Sequence, residues 1–321
     1  MVDAVDAERP VAEAAAREAV GADVAFRAPP PVETPWRRFW SEFRESRVAV
    51  GALGALLLIV LAALFAPLIT PQDPYDLATV SIMDSRMPPG SEAFDGYTFW
   101  LGTDGAGRDL YSAILHGLRI SLSVGVTSAV IALAVGMTVG LIAAYVGGRT
   151  EQLIMRVVDI QLSLPAVLIA LILLALLGKG VDKIVIALVV AQWAYYARTV
   201  RGSALVERSK EYVEAAQCLG LPHRRVLFGH IMPNCIAPLI VVVTVQTAHA
   251  IALEATLSFL GVGLPPTEPS LGLLISNGFE YMLSGDYWIA IFPGVALLVT
   301  IMAINLVGDR LRDVLNPRLS R

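Results

Sequence analysis

Charge is scarce in these 321 residues: 16% are Asp, Glu, Lys or Arg, while 56% are hydrophobic, and the mean hydropathy is +0.66. A water-soluble domain of that composition would expose a very large apolar surface, so the bilayer is expected to be the solvent. Cysteine is almost missing. Cys218 and Cys235 are the only two, which excludes a disulfide framework. The histidines show no metal-ligand spacing such as H-x-x-x-H, and no G-x-x-x-x-G-K-[ST] phosphate loop, nucleophile elbow, zinc-protease motif or paired-carboxylate arrangement occurs. These absences argue against a metal site, against ATP binding by this chain and against a membrane enzyme. No cofactor of its own and no nucleic-acid partner are expected.

Long apolar runs are what the sequence has instead. Stretches near 48–70, 120–146, 157–178, 184–204, 237–262 and 288–307 have the roughly 20 residues that cross about 30 Å of hydrocarbon. The expected fold is therefore an all-α integral membrane protein with six transmembrane helices. Six spans put both termini on one side, and 19 of the 24 Lys and Arg then fall on that side. The positive-inside rule makes it cytoplasmic, in a multi-pass protein of the cytoplasmic (inner) membrane surrounded by lipid.

The chain divides accordingly. Residues 1–47 form a cytoplasmic tail, Ala-, Glu- and Pro-rich and read as disordered, that ends in Trp36–Arg47, an aromatic and basic stretch suited to an interfacial helix. The first transmembrane helix is 48–70, an uncleaved anchor. An extracytoplasmic segment covers 71–117, closing with Gly107–Leu118, where apolar residues at four-residue spacing suit a helix lying on the membrane surface. Residues 118–309 form the main transmembrane domain, and 310–321 a second cytoplasmic tail. Gly136, Gly140, Ala144 and Gly148 make a small-residue stripe for close helix packing. The short turn Gly178–Lys183 predicts an antiparallel hairpin of the third and fourth spans.

The link between the fourth and fifth spans, within 205–236, is long and charged in a chain otherwise economical with loops, which points to a function. Ser209 is placed to cap a short helix with Glu211 in its first turn and Tyr212, Ala215, Ala216 and Leu219 as its apolar face. Gly220 stands where a left-handed residue ends a helix, followed by Leu221. Pro222 opens a second short helix through Arg225, expected to stop at Met232-Pro233. Two stiff helices meeting at a glycine corner can transmit displacement to a partner.

Glu214-Ala215-Ala216, then Gly220, then His230-Ile231-Met232-Pro233 resembles the EAA loop of ABC importer permeases, E-A-A, three residues, Gly, nine residues, I-x-L-P. His230 and Met232 depart from the usual Ile and Leu. Phe99–Leu122, Gly147–Pro165, His230–Pro238 and Glu254–Gly263 further resemble the second permease subunit of dipeptide, oligopeptide and nickel importers, apart from Leu271 in place of a usual Trp and Thr150 in place of a frequent Asp. The resemblance covers nearly everything from Trp36 onward. It implies a type I ABC importer permease core (MetI-like) with one added N-terminal helix. The implied partners are a second homologous permease forming a heterodimer, two ATP-binding subunits that hold ATP and Mg, and an extracytoplasmic solute-binding protein. The implied role is half of the pore for dipeptide or oligopeptide import. Glu211, Tyr212, Glu214, Ala215, Ala216, Gly220, Leu221, Arg225 and Pro233 would form the ATPase-coupling loop. Nickel, or a small solute such as glutathione, is the alternative cargo.

Other polar residues have readings of their own. Glu254, inside the fifth span, either lines the pore or holds a helix interface, with the structural role favoured. His249 lies roughly 140° away around the helix, so the two do not form a metal pair. Asp159 is expected to pair with Arg156 or with an arginine of the loop. Asp104, Arg108 and Asp109 either contact the binding protein or serve local capping and ion pairing. A proton-coupled secondary transporter using Glu254 and Asp159 as relays is the rival of a different class, disfavoured because the hydropathy shows no repeated halves. A membrane-anchored scaffold leaves the long loop unexplained.

Overall fold

The computed structural model describes residues 34 to 315, except 75, 77–79, 94, 95, 266 and 269. The tail assigned to the first 33 residues, and 316–321 of the second tail, lie outside the described residues. The described residues up to Ser41 and those from Glu42 onward belong to two separate units. In the first, Trp36 stacks on Phe39 and Trp40 meets both rings edge-on, in the helix α1 (Pro35–Arg44). The second unit holds everything described below.

Its helices are α2 (Arg47–Leu64), α3 (Ala66–Ile69), α4 (Leu110–Val146), α5 (Gly148–Ser163), α6 (Ala166–Leu177), α7 (Val181–Arg208), α8 (Glu211–Cys218), α9 (His223–Val226), α10 (Met232–Phe259), α11 (Leu271–Phe279) and α12 (Trp288–Leu315). One small antiparallel ribbon pairs β1 (Ser91–Glu92) with β2 (Thr98–Phe99). Among the described residues four helices are long and apolar enough to cross a membrane, α2, α4, α10 with its α9 extension, and α12, or five if the bent pair α5–α6 is one span. The expected fourth span, α7, has the length but falls short in apolarity, with Asp182, Lys183, Arg198, Arg201, Glu207 and Arg208 along it. Packing accounts for this. Helix α7 lies among α4, α5, α6 and α10 and buries ten or more side chains, so much of its surface meets protein.

Three expectations about helix boundaries are corrected. Gly107–Leu118 is no separate surface helix, because Leu110–Leu118 is the start of α4, and the boundary at 117/118 falls inside it. At 37 residues α4 is about 55 Å long, well beyond the hydrocarbon. Its first turns are buried by Ala63, Ala66, Leu271, Leu274 and Trp288, protein that takes the place of the membrane surface. The third span is broken. Helices α5 and α6 meet at 91°, because Pro165 disfavours the helical conformation at Leu164, which is extended at φ −93°, ψ 138°. The first span also breaks, at Phe65.

The small-residue stripe packs where spacing places it. A β-carbon on Gly136 would stand 2.5 Å from the Trp193 carbonyl oxygen, and one on Gly140 2.5 Å from that of Ala197, so α4 and α7 touch backbone to backbone. Gly148 does not continue the stripe. It has φ +60° and open space around it, since the chain has already turned into α5. The hairpin α6–α7 forms as expected, with Ala170 and Leu174 buried against Ile184, Ala187 and Leu188.

Candidate functional site

The corner between α7 and α10 is built on a Schellman ending. Gly220, at φ +72°, donates its N–H to the Gln217 carbonyl at 2.9 Å, and Leu221 donates to that of Ala216 at 3.3 Å. This closes α8 with the left-handed residue that glycine takes without strain. The N-terminal cap departs from expectation. Lys210, not Ser209, is the capping position, and no side chain caps it. The Ser209 hydroxyl bonds back to the Val206 carbonyl.

A two-turn helix is too short to hold itself, so packing decides which side of α8 faces in. Val213 and Ala216 are buried with Val226, Leu227 and Ile231 against Leu141, Ala144, Val200 and Ala204. At about 1.5–3 kcal/mol for each fully buried large aliphatic side chain, that outweighs the cost of ordering the turn. The expected apolar face is corrected accordingly. Ala215 and Leu219 point outward, Leu219 at 79% exposed, and with exposed Glu211, Glu214 and Arg225 they make the outer surface of the corner.

The second short helix does not stop at Met232-Pro233. His223–Phe259 runs on as one helix, with a π turn at Leu227–Ile231 just before Pro233. A proline in a regular α-helix would drive its ring into the carbonyl four residues back, and the wider turn relieves that contact. The corner is thus continuous with a span.

Polar bonds lock the corner at both ends. The Tyr212 hydroxyl donates to Glu207 Oε2 at 2.7 Å, and Lys210 Nζ donates to Oε1 at 2.6 Å. Asn234 donates to the Tyr212 oxygen at 3.1 Å and to the His230 carbonyl at 2.7 Å. This joins the end of α7, α8 and the start of α10 in one network. Burial and the Glu207 carboxylate push the Tyr212 hydroxyl up to about 12, so it stays a donor. Burial alone would raise Glu207, but the bonds from Lys210 and Tyr212 hold it below its ordinary 4.5. A group lowered in the folded state stabilises above its unfolded value, and that contribution is lost as pH falls through the folded one. The acid side of the thermal-stability profile of the solubilised protein is therefore expected to flatten in Glu207→Gln relative to the parent; an unchanged profile would deny Glu207 this role. On the neighbouring side, Tyr145 Oη meets His223 Nδ1 at 2.6 Å, and Arg208 donates to the Ala144 carbonyl at 2.8 Å, satisfying the end of α4.

The other sequence candidates lie apart from this corner. Asp159 pairs with Arg198 of α7, not with Arg156 or a loop arginine, because the turn from α5 into α6 lays α5 beside α7. A second pair that spacing does not reveal, Glu151 with Arg201, braces the same two helices. Glu254 is fully buried and accepts hydrogen bonds at 2.8 Å from Ser121 of α4 and from Ser258. Ser270, the N-cap of α11, accepts from the Leu273 backbone N–H at 3.3 Å. His249 is exposed. Among the described residues no cluster of three potential metal ligands occurs. Far from the corner, Asp104 accepts from Arg108 Nε at 2.7 Å and from the backbone N–H of Ala106 and Arg108. Asp109 caps α4 through Ser112. Local capping and ion pairing are what these residues do.

Residues 136–321 match the family described as the binding-protein-dependent transport system inner membrane component. The chain belongs to this family. Residues 34–89 match the N-terminal transmembrane domain of oligopeptide transport permease C. A relative in Pseudomonas aeruginosa, the di/tripeptide transport system permease protein DppC, is 39% identical over 89% of this chain and 93% of its own. The dipeptide transport system permease protein DppC of Escherichia coli is 39% identical over 92% and 96%. The glutathione transport system permease protein GsiD of Pectobacterium atrosepticum is 35% identical over 90% and 93%. A solved structure of the MetNI methionine ABC transporter in an inward-facing conformation matches 63% of this chain and 96% of its own, with a TM-score of 0.52 at 18% identity. This permease therefore shares the fold expected from its EAA-like corner, a multi-pass helical core of the type I importer kind.

Proposed function

We propose that this permease forms half of the pore of an ATP-driven importer for dipeptides or oligopeptides, with a second homologous permease as its partner in a heterodimer. The observation that carries the mechanism is the corner: an exposed Leu219–Gly220 tip on a helix that is buried from behind and hydrogen-bonded into α7 and α10. A load applied at the tip reaches two long helices without first deforming a loop. The Glu211–Pro233 segment docks on one of two ATP-binding subunits, whose closure on ATP pushes the corner and changes the side to which the pore opens. An extracytoplasmic solute-binding protein delivers the cargo at the opposite end. Both termini and the corner lie on the cytoplasmic side, where most of the Lys and Arg collect, and α7 completes six spans in the assembled pore.

The peptide cargo rests on the relatives named for di- and tripeptides. Glutathione is the second reading, since a glutathione permease is similar over nearly the same length. Purification with its co-purifying subunits and reconstitution in proteoliposomes tests both. ATP hydrolysis and uptake stimulated by labelled dipeptides are expected. Stimulation by glutathione alone would move the cargo, and uptake that persists without ATP or ATPase subunits would overturn the mechanism.

A further inference from the structure

Between α7, α10 and α12 lies a cavity of about 560 Å³, within the range of small-ligand sites. Its wall is mostly apolar, from residues such as Val242 and Val245 of α10, and carries Gln246, Asp309 and Arg312 besides the hydroxyls of Tyr195 and Thr199. Gln246 is 8% exposed, and its amide nitrogen has no hydrogen-bond partner. Asp309 and Arg312, one turn apart on α12, are exposed along the same cavity. Among the described residues neither side chain has a hydrogen bond or ion pair.

The occupant follows from what would satisfy these groups. Acyl chains, or an apolar helix face from another subunit, would leave a buried amide and two opposite charges unpaired. A short zwitterionic peptide answers all three: its ammonium meets Asp309, its carboxylate meets Arg312, and a backbone carbonyl accepts from Gln246. Pro238 and Gln246, both on the wall, are eight residues apart on α10, about 12 Å along the helix. Two or three extended residues reach about 7–11 Å. We infer that this groove is a peptide-binding stretch of the translocation path, in which Gln246, Asp309 and Arg312 hold the backbone and termini while the apolar wall accepts side chains of many shapes. The inference rests on the peptide reading above.

The test uses the assembled complex in proteoliposomes, in a Cys218→Ser background with buried Cys235 retained as the unlabelled control. Val242→Cys is expected to react with a charged methanethiosulfonate, and saturating dialanine is expected to slow that reaction tenfold or more. Gln246→Leu and Arg312→Gln are each expected to raise the KM for dialanine uptake about tenfold. Reaction only with a membrane-soluble maleimide would show that the groove faces lipid. Inaccessibility unaffected by dialanine would show that another subunit fills it, and either result overturns the inference. The unsubstituted complex separates the two readings: if it takes up glutathione and not dialanine, and glutathione protects Val242→Cys, the groove stands and the dipeptide reading falls.

Discussion

Gly220→Trp is expected to insert and to assemble with the partner permease, yet to lose nearly all substrate-stimulated ATP hydrolysis. Two effects combine. Gly220 sits at φ +72°, where a side chain costs about 1–2 kcal/mol. It also stands in open space, with nothing within 4 Å of where a β-carbon would go, so no intramolecular clash arises and the indole projects into the surface proposed to dock. Gly220→Ala separates the two, since it bears the same backbone strain with little bulk. Stimulated hydrolysis is expected to survive largely in Gly220→Ala and to disappear in Gly220→Trp. Normal stimulation in the tryptophan variant would remove the corner from the coupling mechanism. Equal loss in both would assign the effect to the backbone of the corner.

Glu254→Ala should be the most damaging single substitution in the membrane core. The carboxyl group accepts from Ser121 and Ser258, so its removal strands two buried hydroxyls at about 1–3 kcal/mol each and leaves a cavity besides. Thermal stability of the solubilised complex is expected to fall sharply, with poor recovery of protein. Glu254→Gln keeps the volume and one carbonyl acceptor, and its amide can donate to a serine oxygen, so most of the stability and most of the uptake should remain. Lost uptake in a Glu254→Gln complex of full thermal stability would instead return this residue to a transport role.

Several features of this permease were legible in its residues because they depend on near neighbours. The left-handed corner at Gly220 follows from a helix ending in a residue without a side chain, and the close approach of some other helix to α4 follows from Gly136 and Gly140 one turn apart. The break at Pro165 was equally visible, but the run 157–178 has the length of a span, so length prevailed over the proline. At α4 the opposite error arose. The change from mixed to apolar composition near residue 118 looks like a boundary, whereas the helix continues, buried nearly all round in its first turns and on one side beyond them.

Partners distant in sequence were the part that could not be read. Ser121 and Glu254 are 133 residues apart, and Arg198 meets Asp159 across 39. Nothing in composition or spacing selects Arg198 over Arg156, because the choice depends on the angle at which α5 leaves α6. The inward face of α8 was misassigned for a related reason. Over two turns, Val213 with Ala216 and Ala215 with Leu219 are equally good stripes, and only the positions of Leu141, Ala144 and Val200 break the tie.

By itself the sequence determined the solvent, most of the long helices and the location of the corner, since hydrophobicity, helix capping and the demands of glycine and proline act within a few residues along the chain. Only the tertiary structure decided which way the corner faces, what satisfies Glu254 and which polar groups share the groove beside Gln246. Those depend on how whole helices cross, and a crossing is set by the summed packing of many side chains that no local pattern specifies.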